Sequence, residues 1–380
     1  MTDLSTNNPF RLGPLAVGTP VVLAPMAGVT NVAFRQLCAE QGQGLYTCEM
    51  ITSRGLIEGD KTSLSMVKFA ESEKYRSVQL YGVDPKVMGR AAAMLCGEYG
   101  VDHIDLNFGC PVPKITRKGG GAALPWKSSL LAQILNETVK AAEPFNVPVT
   151  MKTRIGVDEQ HITYLDAGRI AEASGCAAIT LHGRTAAQHY SGQADWNSIA
   201  TLKESVSLPV FGNGDIWEAA DAIEMVAQTG CDAVVIGRGC LGRPWLFADL
   251  EAAFAGRTDR AFPTLGEVAA IMKRHAILLG EWLGEERGCI EFRKHVAWYL
   301  KGFRAGHIAR DHLGKVSSFA ELDDLLGMLD PNEAFPTSVL GAPRGRQGTP
   351  KRVALPDGWL NNRETPAFID PDAELNVSGG

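Results

Sequence analysis

Apolar residues in this chain arrive in two rhythms. Short β-branched runs, such as Pro20-Val21-Val22-Leu23-Ala24 and Ala233-Val234-Val235-Ile236, alternate with longer stretches whose apolar positions recur at helical spacing. The runs predict strands over 20–26, 45–50, 76–81, 103–108, 148–153, 177–182, 208–213 and 232–237. Between them, 86–99 and 130–142 are rich in Ala, Leu and Met, residues that lose little freedom in a helix. Strand–helix alternation builds parallel sheets, because each strand must return to the same edge through a crossover. Eight such units over about 235 residues fit a closed α/β structure, a (β/α)8 TIM barrel, and no switch point marks an open doubly wound sheet.

The strand signal stops near residue 262. Beyond it, 265–282, 289–303 and 319–329 carry amphipathic helical patterns and predict a small bundle. After Gly341 the chain turns to Pro, Gly, Asn and charge, which predicts a flexible tail. The expected division is 1–256 barrel, 257–335 helical domain and 336–380 tail. Hydrophobic residues make up 45% and charged residues 21%, enough for a large core and against wholesale disorder. No apolar run is long enough to span a bilayer, and the first residues lack the basic and apolar regions of a secretory signal. Eight cysteines without a C-x-x-C pair argue against structural zinc and favour a reducing, cytoplasmic setting. No metal, no membrane and a monomer are expected. The net charge of −6, taken whole, points away from nucleic acid.

Barrel enzymes work at the C-terminal ends of their strands, and the last two loops commonly hold a phosphate. Here strand seven runs into Gly212-Asn213-Gly214-Asp215 and strand eight into Gly237-Arg238-Gly239-Cys240-Leu241-Gly242. The second stretch matches G-x-G-x-x-G, but it closes the series of βα units, so a dinucleotide fold is excluded by context. Two glycine loops at these positions predict a phosphate-bearing ligand. The other strand ends carry Gln79, Asn107, Cys110, Lys152, Arg154, His182 and Arg184. Polar groups converging there are costly as core, since an unpaired buried polar group loses about 1–3 kcal/mol. Cys110 leaves its strand in the turn Asn107-Phe108-Gly109-Cys110-Pro111, which exposes its thiol to the mouth. A thiol of ordinary pKa is a proton donor at neutral pH, and a nucleophile if a base such as His182 lowers it. Spacing alone leaves both open.

The motifs Pro25-Met26-Ala27-Gly28, Gln79-Leu80-Tyr81-Gly82, Asn107-Phe108-Gly109-Cys110-Pro111, Lys152-Thr153-Arg154-Ile155-Gly156, His182-Gly183-Arg184, Gly212-Asn213-Gly214-Asp215 and Gly237-Arg238 occur in this order. With the later segment Arg293-Lys294-His295-Val296-Ala297-Trp298-Tyr299, they make the chain resemble the bacterial tRNA-dihydrouridine synthases, most closely the B type. The resemblance implies an FMN-bound barrel that reduces the C5–C6 bond of selected tRNA uridines, with NADPH as electron donor. It implies that Pro25, Met26 and Ala27 line the flavin, and that Gln79, Asn107, Lys152 and His182 contact it. Asn213, Gly214, Asp215, Gly237 and Arg238 would hold its ribityl chain and phosphate. It further implies hydride transfer from flavin N5 to uracil C6 and protonation of C5 by Cys110.

A uridine must leave its stack to enter a barrel mouth, at a cost of a few kcal/mol that contacts to the RNA must offset. Lys114 and Arg117, beside Gly119-Gly120-Gly121, are expected to meet RNA from a flexible lid, with Arg154 and Arg184 at the mouth. Between 287 and 315, seven basic side chains, Arg293 and Lys294 among them, face only two acidic ones. That excess of five positive charges sits in an otherwise acidic chain. Two other readings compete: an FMN oxidoreductase of free pyrimidines, related to dihydroorotate or dihydropyrimidine dehydrogenases, and an RNA-binding protein on a redox-inactive barrel. The basic helical segment argues against the first, and the intact Lys152, Cys110 and glycine loops against the second.

Overall fold

The computed structural model describes residues 10–345 and 347–363. A hairpin, β1 (Phe10–Leu12) and β2 (Leu15–Gly18), precedes the barrel strands β3 (Val21–Leu23), β4 (Leu45–Thr52), β5 (Ser77–Tyr81), β6 (His103–Phe108), β7 (Val149–Arg154), β8 (Ala178–His182), β9 (Val210–Asn213) and β10 (Ala233–Ile236). All eight barrel strands pair in parallel, and β10 closes on β3. The closed barrel is the architecture that the strand–helix rhythm predicts.

Side chains alternate across each strand, so residues two apart share a face. On β6, Ile104, Leu106 and Phe108 pack outward against the helices. His103, Asp105 and Asn107 therefore point into the barrel. The floor of the interior is apolar: Val22, Leu45, Ala178, Phe211, Ala233 and Val235 form one cluster with Leu12, Leu15 and Val17 of the hairpin. Phe10 meets Phe211 edge to face at 5.4 Å. The hairpin thus caps the end of the barrel opposite the catalytic mouth.

A second core lies between helix Val32–Ala39 of the barrel and helices Leu265–Leu283, Glu285–Tyr299 and Phe319–Gly327. The first of these starts at a capping box, in which Thr264 and Glu267 satisfy each other's backbone N–H groups. Glu218 joins barrel and appendage. It forms a bidentate pair with Arg243 at 2.8 and 2.9 Å, pairs with Arg260, and accepts the Gly341 N–H at 2.8 Å.

The segment from 336 onward, expected to be a flexible tail, packs against the barrel at several points of its described part. Arg344, Val353 and Trp359 are buried at 3%, 8% and 7% exposure. The Arg344 guanidinium donates to the carbonyls of Leu241 and Trp298 at 3.0 and 2.9 Å. Val353 packs with Ala122, Val157 and Ala186 of the barrel loops, and the Trp359 indole N–H donates to the Ala123 carbonyl at 3.0 Å. Residues 364–380 of the predicted tail lie outside the described residues.

Candidate active site

Register across the sheet assembles the mouth. Gln79 pairs with Asp105, Asn107 with Lys152, Arg154 with His182, and His182 with Asn213. Inward-pointing members of β5 to β9 therefore form a ring at the carboxyl ends, as barrel sites require. Pro25, Met26 and Ala27 leave β3 at the same end, the first two partly exposed and Ala27 exposed. The backbone N–H of Gly28, next in line, donates to the Glu49 carboxylate on β4. Burial pushes the Glu49 carboxyl up from its ordinary range, and that N–H together with Lys294 pulls it back down.

Beneath the ring runs a chain of buried hydrogen bonds. Thr47 and Ser77 hydroxyls lie 2.9 Å apart, Ser77 Oγ is 2.8 Å from His103 Nδ1, and His103 Nε2 is 2.9 Å from Thr150 Oγ1. Thr150 donates to Asp105 Oδ1 at 2.7 Å, and Gln79 Nε2 donates to Asp105 Oδ2 at 2.7 Å. Asn107 Nδ2 then donates to Gln79 Oε1 at 2.8 Å, while Asn107 Oδ1 accepts the N–H groups of Gly109 and Cys110 at 3.1 and 3.0 Å. A carboxylate only accepts. With Asp105 ionised, Gln79 must therefore turn its nitrogen inward and its oxygen toward Asn107. Burial pushes Asp105 up, while the Thr150 and Gln79 donors and Lys152 pull it down. Burial drives His103 down to about 3, so it is neutral. Sequence reasoning found Gln79 and Asn107 but missed Asp105 and His103. The signal was present, since both share the face of Asn107 at steps of two.

Of the eight cysteines, seven are buried and Cys110 alone is partly exposed. Burial raises its thiol above the ordinary value, against smaller lowering effects of the Val112 N–H, Arg154 and Lys152. Its protonated form is thereby favoured at neutral pH. Lys152 is pushed down to about 7, first by burial and then by Arg154, against the opposing pull of Asp105 and Cys110. Among the described residues, its ammonium has no hydrogen-bond or ion-pair partner. His182 lies well below its usual range because of burial and the charges of Arg154, Lys152, Arg184 and Arg238. It is a neutral ring beside four cations.

Arg154 and Arg184, expected to meet RNA, are buried at 3% and 1% exposure. Arg154 donates to the carbonyls of Gly109, Thr185 and His189 at 2.7, 3.0 and 2.9 Å. Arg184 donates to the carbonyls of Ser191 and Gly192 and pairs with Asp215 at 2.7 Å. Long guanidinium side chains at strand ends have captured loop carbonyls that would otherwise be unsatisfied. Both arginines hold the loops in place and do not present a free charge at the rim. Asp215 likewise turns its carboxylate to Arg184 and, at 3.6 Å, to Arg238, which leaves its backbone for a ligand. Asn213 ties β9 to β10 by donating to the Val235 carbonyl at 2.7 Å. The guanidinium of Arg238 sits between Tyr190, at 4.4 Å, and Trp217, at 4.9 Å. Gly214 adopts a φ of +128°, open to glycine, and Gly237 leads directly into Arg238.

The basic candidates divide. Lys114 and Arg117 are exposed just after the Cys110 turn. Lys294 pairs with Glu291 at 2.7 Å, and a Cβ on Gly28 would lie 3.4 Å from its ammonium, so it reaches the mouth. Arg293 instead donates to the Val316 carbonyl at 2.8 Å within the helical domain. Tyr299 is core, and Trp298 is half-buried. The glycines read as a flexible lid are explained by close packing. A Cβ on Gly119, Gly120 or Gly121 would come within 2.4 Å of Trp359, 2.4 Å of the Tyr81 hydroxyl or 2.5 Å of the Cys110 carbonyl.

The residues present suit a flavin phosphate ester. A desolvated lysine with no ion-pair partner among the described residues and a clamped arginine stand where anionic charge would be welcome. A closed parallel barrel with a thiol, a lysine and glycine-rich loops gathered at the carboxyl ends of its strands is the arrangement of a barrel enzyme. The chain belongs to the dihydrouridine synthase family, whose model matches residues 22–335. It is 58% identical over 379 residues to a probable tRNA-dihydrouridine synthase of Mycobacterium tuberculosis strain H37Rv, covering 98% of this chain and 97% of that one. It is 41% identical over 293 residues to tRNA-dihydrouridine synthase B of Pseudomonas aeruginosa, covering 76% and 86%. The histamine dehydrogenase structure from Rhizobium sp. 4-9 shares the fold, with a TM-score of 0.51 at 14% identity over 73% of this chain. The chain spans about half of that protein, 51% of its length.

Proposed function

We propose that this enzyme reduces uridines of tRNA to 5,6-dihydrouridine, with FMN as cofactor and NADPH as electron donor. When bound, FMN would supply the two-electron chemistry between NADPH and the uracil C5–C6 bond. The observation that carries the reading is the partly exposed Cys110 thiol and Lys152, which has no ion-pair partner among the described residues, at the mouth of a barrel of this family. Lys152 would offset negative charge on the pyrimidine edge of the flavin. Gln79 and Asn107, oriented by Asp105, would hold that edge. Gly214, Gly237 and Arg238 would hold the phosphate. Cys110 would keep a proton on Sγ and give it to C5. Lys114, Arg117 and Lys294 would meet the RNA backbone.

The test is direct. Purified protein should carry flavin absorbance, or acquire it from FMN, and should form dihydrouridine in an unmodified tRNA transcript while oxidising NADPH. A protein that cannot bind FMN refutes the proposal. Turnover on free pyrimidines without response to tRNA would establish the competing small-molecule reading.

A further inference from the structure

The family match ends at residue 335, yet residues 336–345 and 347–363 form a strap against loops of the catalytic face. Arg344 fastens it to the loop after β10 through Leu241. The Lys351 N–H donates to the Ala187 carbonyl after β8 at 2.8 Å, and Val353 packs with Ala122, Val157 and Ala186. The strap ends on the loop after β6. There the Trp359 indole N–H donates to the Ala123 carbonyl at 3.0 Å, and Lys127 donates to the Asn362 carbonyl. Arg363 pairs with Asp166 at 2.7 Å.

Trp359 touches the part of that loop that returns to the thiol. Gly119 sits so close to the indole that a Cβ would come within 2.4 Å, at a φ of +79°. One turn further on, the Ala122 N–H donates to the Cys110 carbonyl at 3.0 Å. Ile115, from the same loop, packs with Met50, Tyr81 and Cys110. We infer that the strap is a latch and Trp359 a positioning residue, which fixes the 110–127 loop and thereby the place of the Cys110 thiol. The inference rests on the proposed role of Cys110, and its own readout does not depend on activity.

Cys110 is the one cysteine of eight that is not buried, so iodoacetamide on the native, full-length protein should label it slowly but ahead of the other seven. In Trp359→Ala, loss of the latch lets the loop open locally, and Cys110 alkylation, followed by peptide mass spectrometry, should rise about tenfold or more. Trp359→Phe keeps an aromatic ring in the groove but loses the Ala123 hydrogen bond and the outer edge of the indole against Gly119, so its rise should fall between wild type and Trp359→Ala. Gly119→Ala, which forces the indole away from the other side, should match Trp359→Ala and serves if that variant folds poorly. In stopped-flow assays, reoxidation by tRNA should slow in the same order while reduction by NADPH is unchanged. Wild-type alkylation rates in folded Trp359→Ala and Gly119→Ala overturn the latch. Faster alkylation with unchanged reoxidation would leave the latch standing and refute Cys110 as proton donor.

Discussion

The backbone N–H of Cys110 donates to the side-chain oxygen of Asn107 at 3.0 Å, so the reactive turn is held by a residue three places earlier on β6. The same carboxamide donates to Gln79, which is held in turn by Asp105. One side chain therefore links the thiol to the groups expected at the cofactor. Asn107→Ala should slow uridine reduction by about 10²-fold, the scale of a misplaced reacting group. Rapid mixing should find flavin reduction by NADPH much less affected. Equal losses in both half-reactions would locate the effect at the cofactor.

The pH behaviour of Cys110 follows from its raised thiol. An acid donor is lost only when it deprotonates, so tRNA-dependent turnover should stay level through about pH 8.5, the ordinary value of a free thiol, and fall above it. Cys110→Ala should abolish reduction of uridine and retain that of flavin. A decline beginning near neutrality, shared by Cys110→Ser, would assign the titration to another group.

Lys152 offers a test independent of turnover. With its ammonium lowered to about 7, it is largely neutral at pH 8.5, and an anionic ligand alongside raises it again. Reduction of the bound flavin at pH 8.5, which places negative charge on the edge that Lys152 would face, should therefore take up close to one proton beyond those the flavin itself consumes, read with a pH indicator in weak buffer. Lys152→Met should remove that uptake. Uptake unchanged in the variant would contradict the assignment.

Four histidines, at positions 103, 182, 275 and 295, are buried and depressed, chiefly by desolvation. Their folded pKa values lie below the unfolded value near 6.5, so the unfolded chain takes up protons first. The stability they permit is complete above pH 6.5 and is lost as pH falls toward their folded values, about 3 for His103 and His275. Each depressed histidine should cost up to about 1.4 kcal/mol per pH unit in that window. Neither ring nitrogen of His295 has a hydrogen-bond partner among the described residues. His295→Phe should thus flatten the acid slope by one proton and leave neutral-pH stability equal or higher. Urea titrations at pH 7 and pH 5.5 measure both, and a parallel slope would refute the assignment.

Much of the barrel was legible because its strands are short apolar runs. The reading of 103–108 coincides with β6, whereas 20–26 overran β3, since Pro25 and Met26 leave the sheet to form the mouth. The hairpin was missed because Phe10–Leu12 and Leu15–Gly18 are too short to show alternation. Strand position located Arg154 and Arg184, but sequence could not say that their guanidinium groups would turn to loop carbonyls. Trp359 was invisible for a different reason. Its indole packs against Gly119, more than two hundred residues away, and no local pattern encodes such a fit.

The hairpin at the barrel floor has a kinetic consequence. With Phe10, Leu12 and Leu15 covering one end, the electron donor and the RNA of the proposed reaction would both use the opposite mouth. They must take turns, and double-reciprocal plots at several fixed tRNA concentrations should be parallel lines.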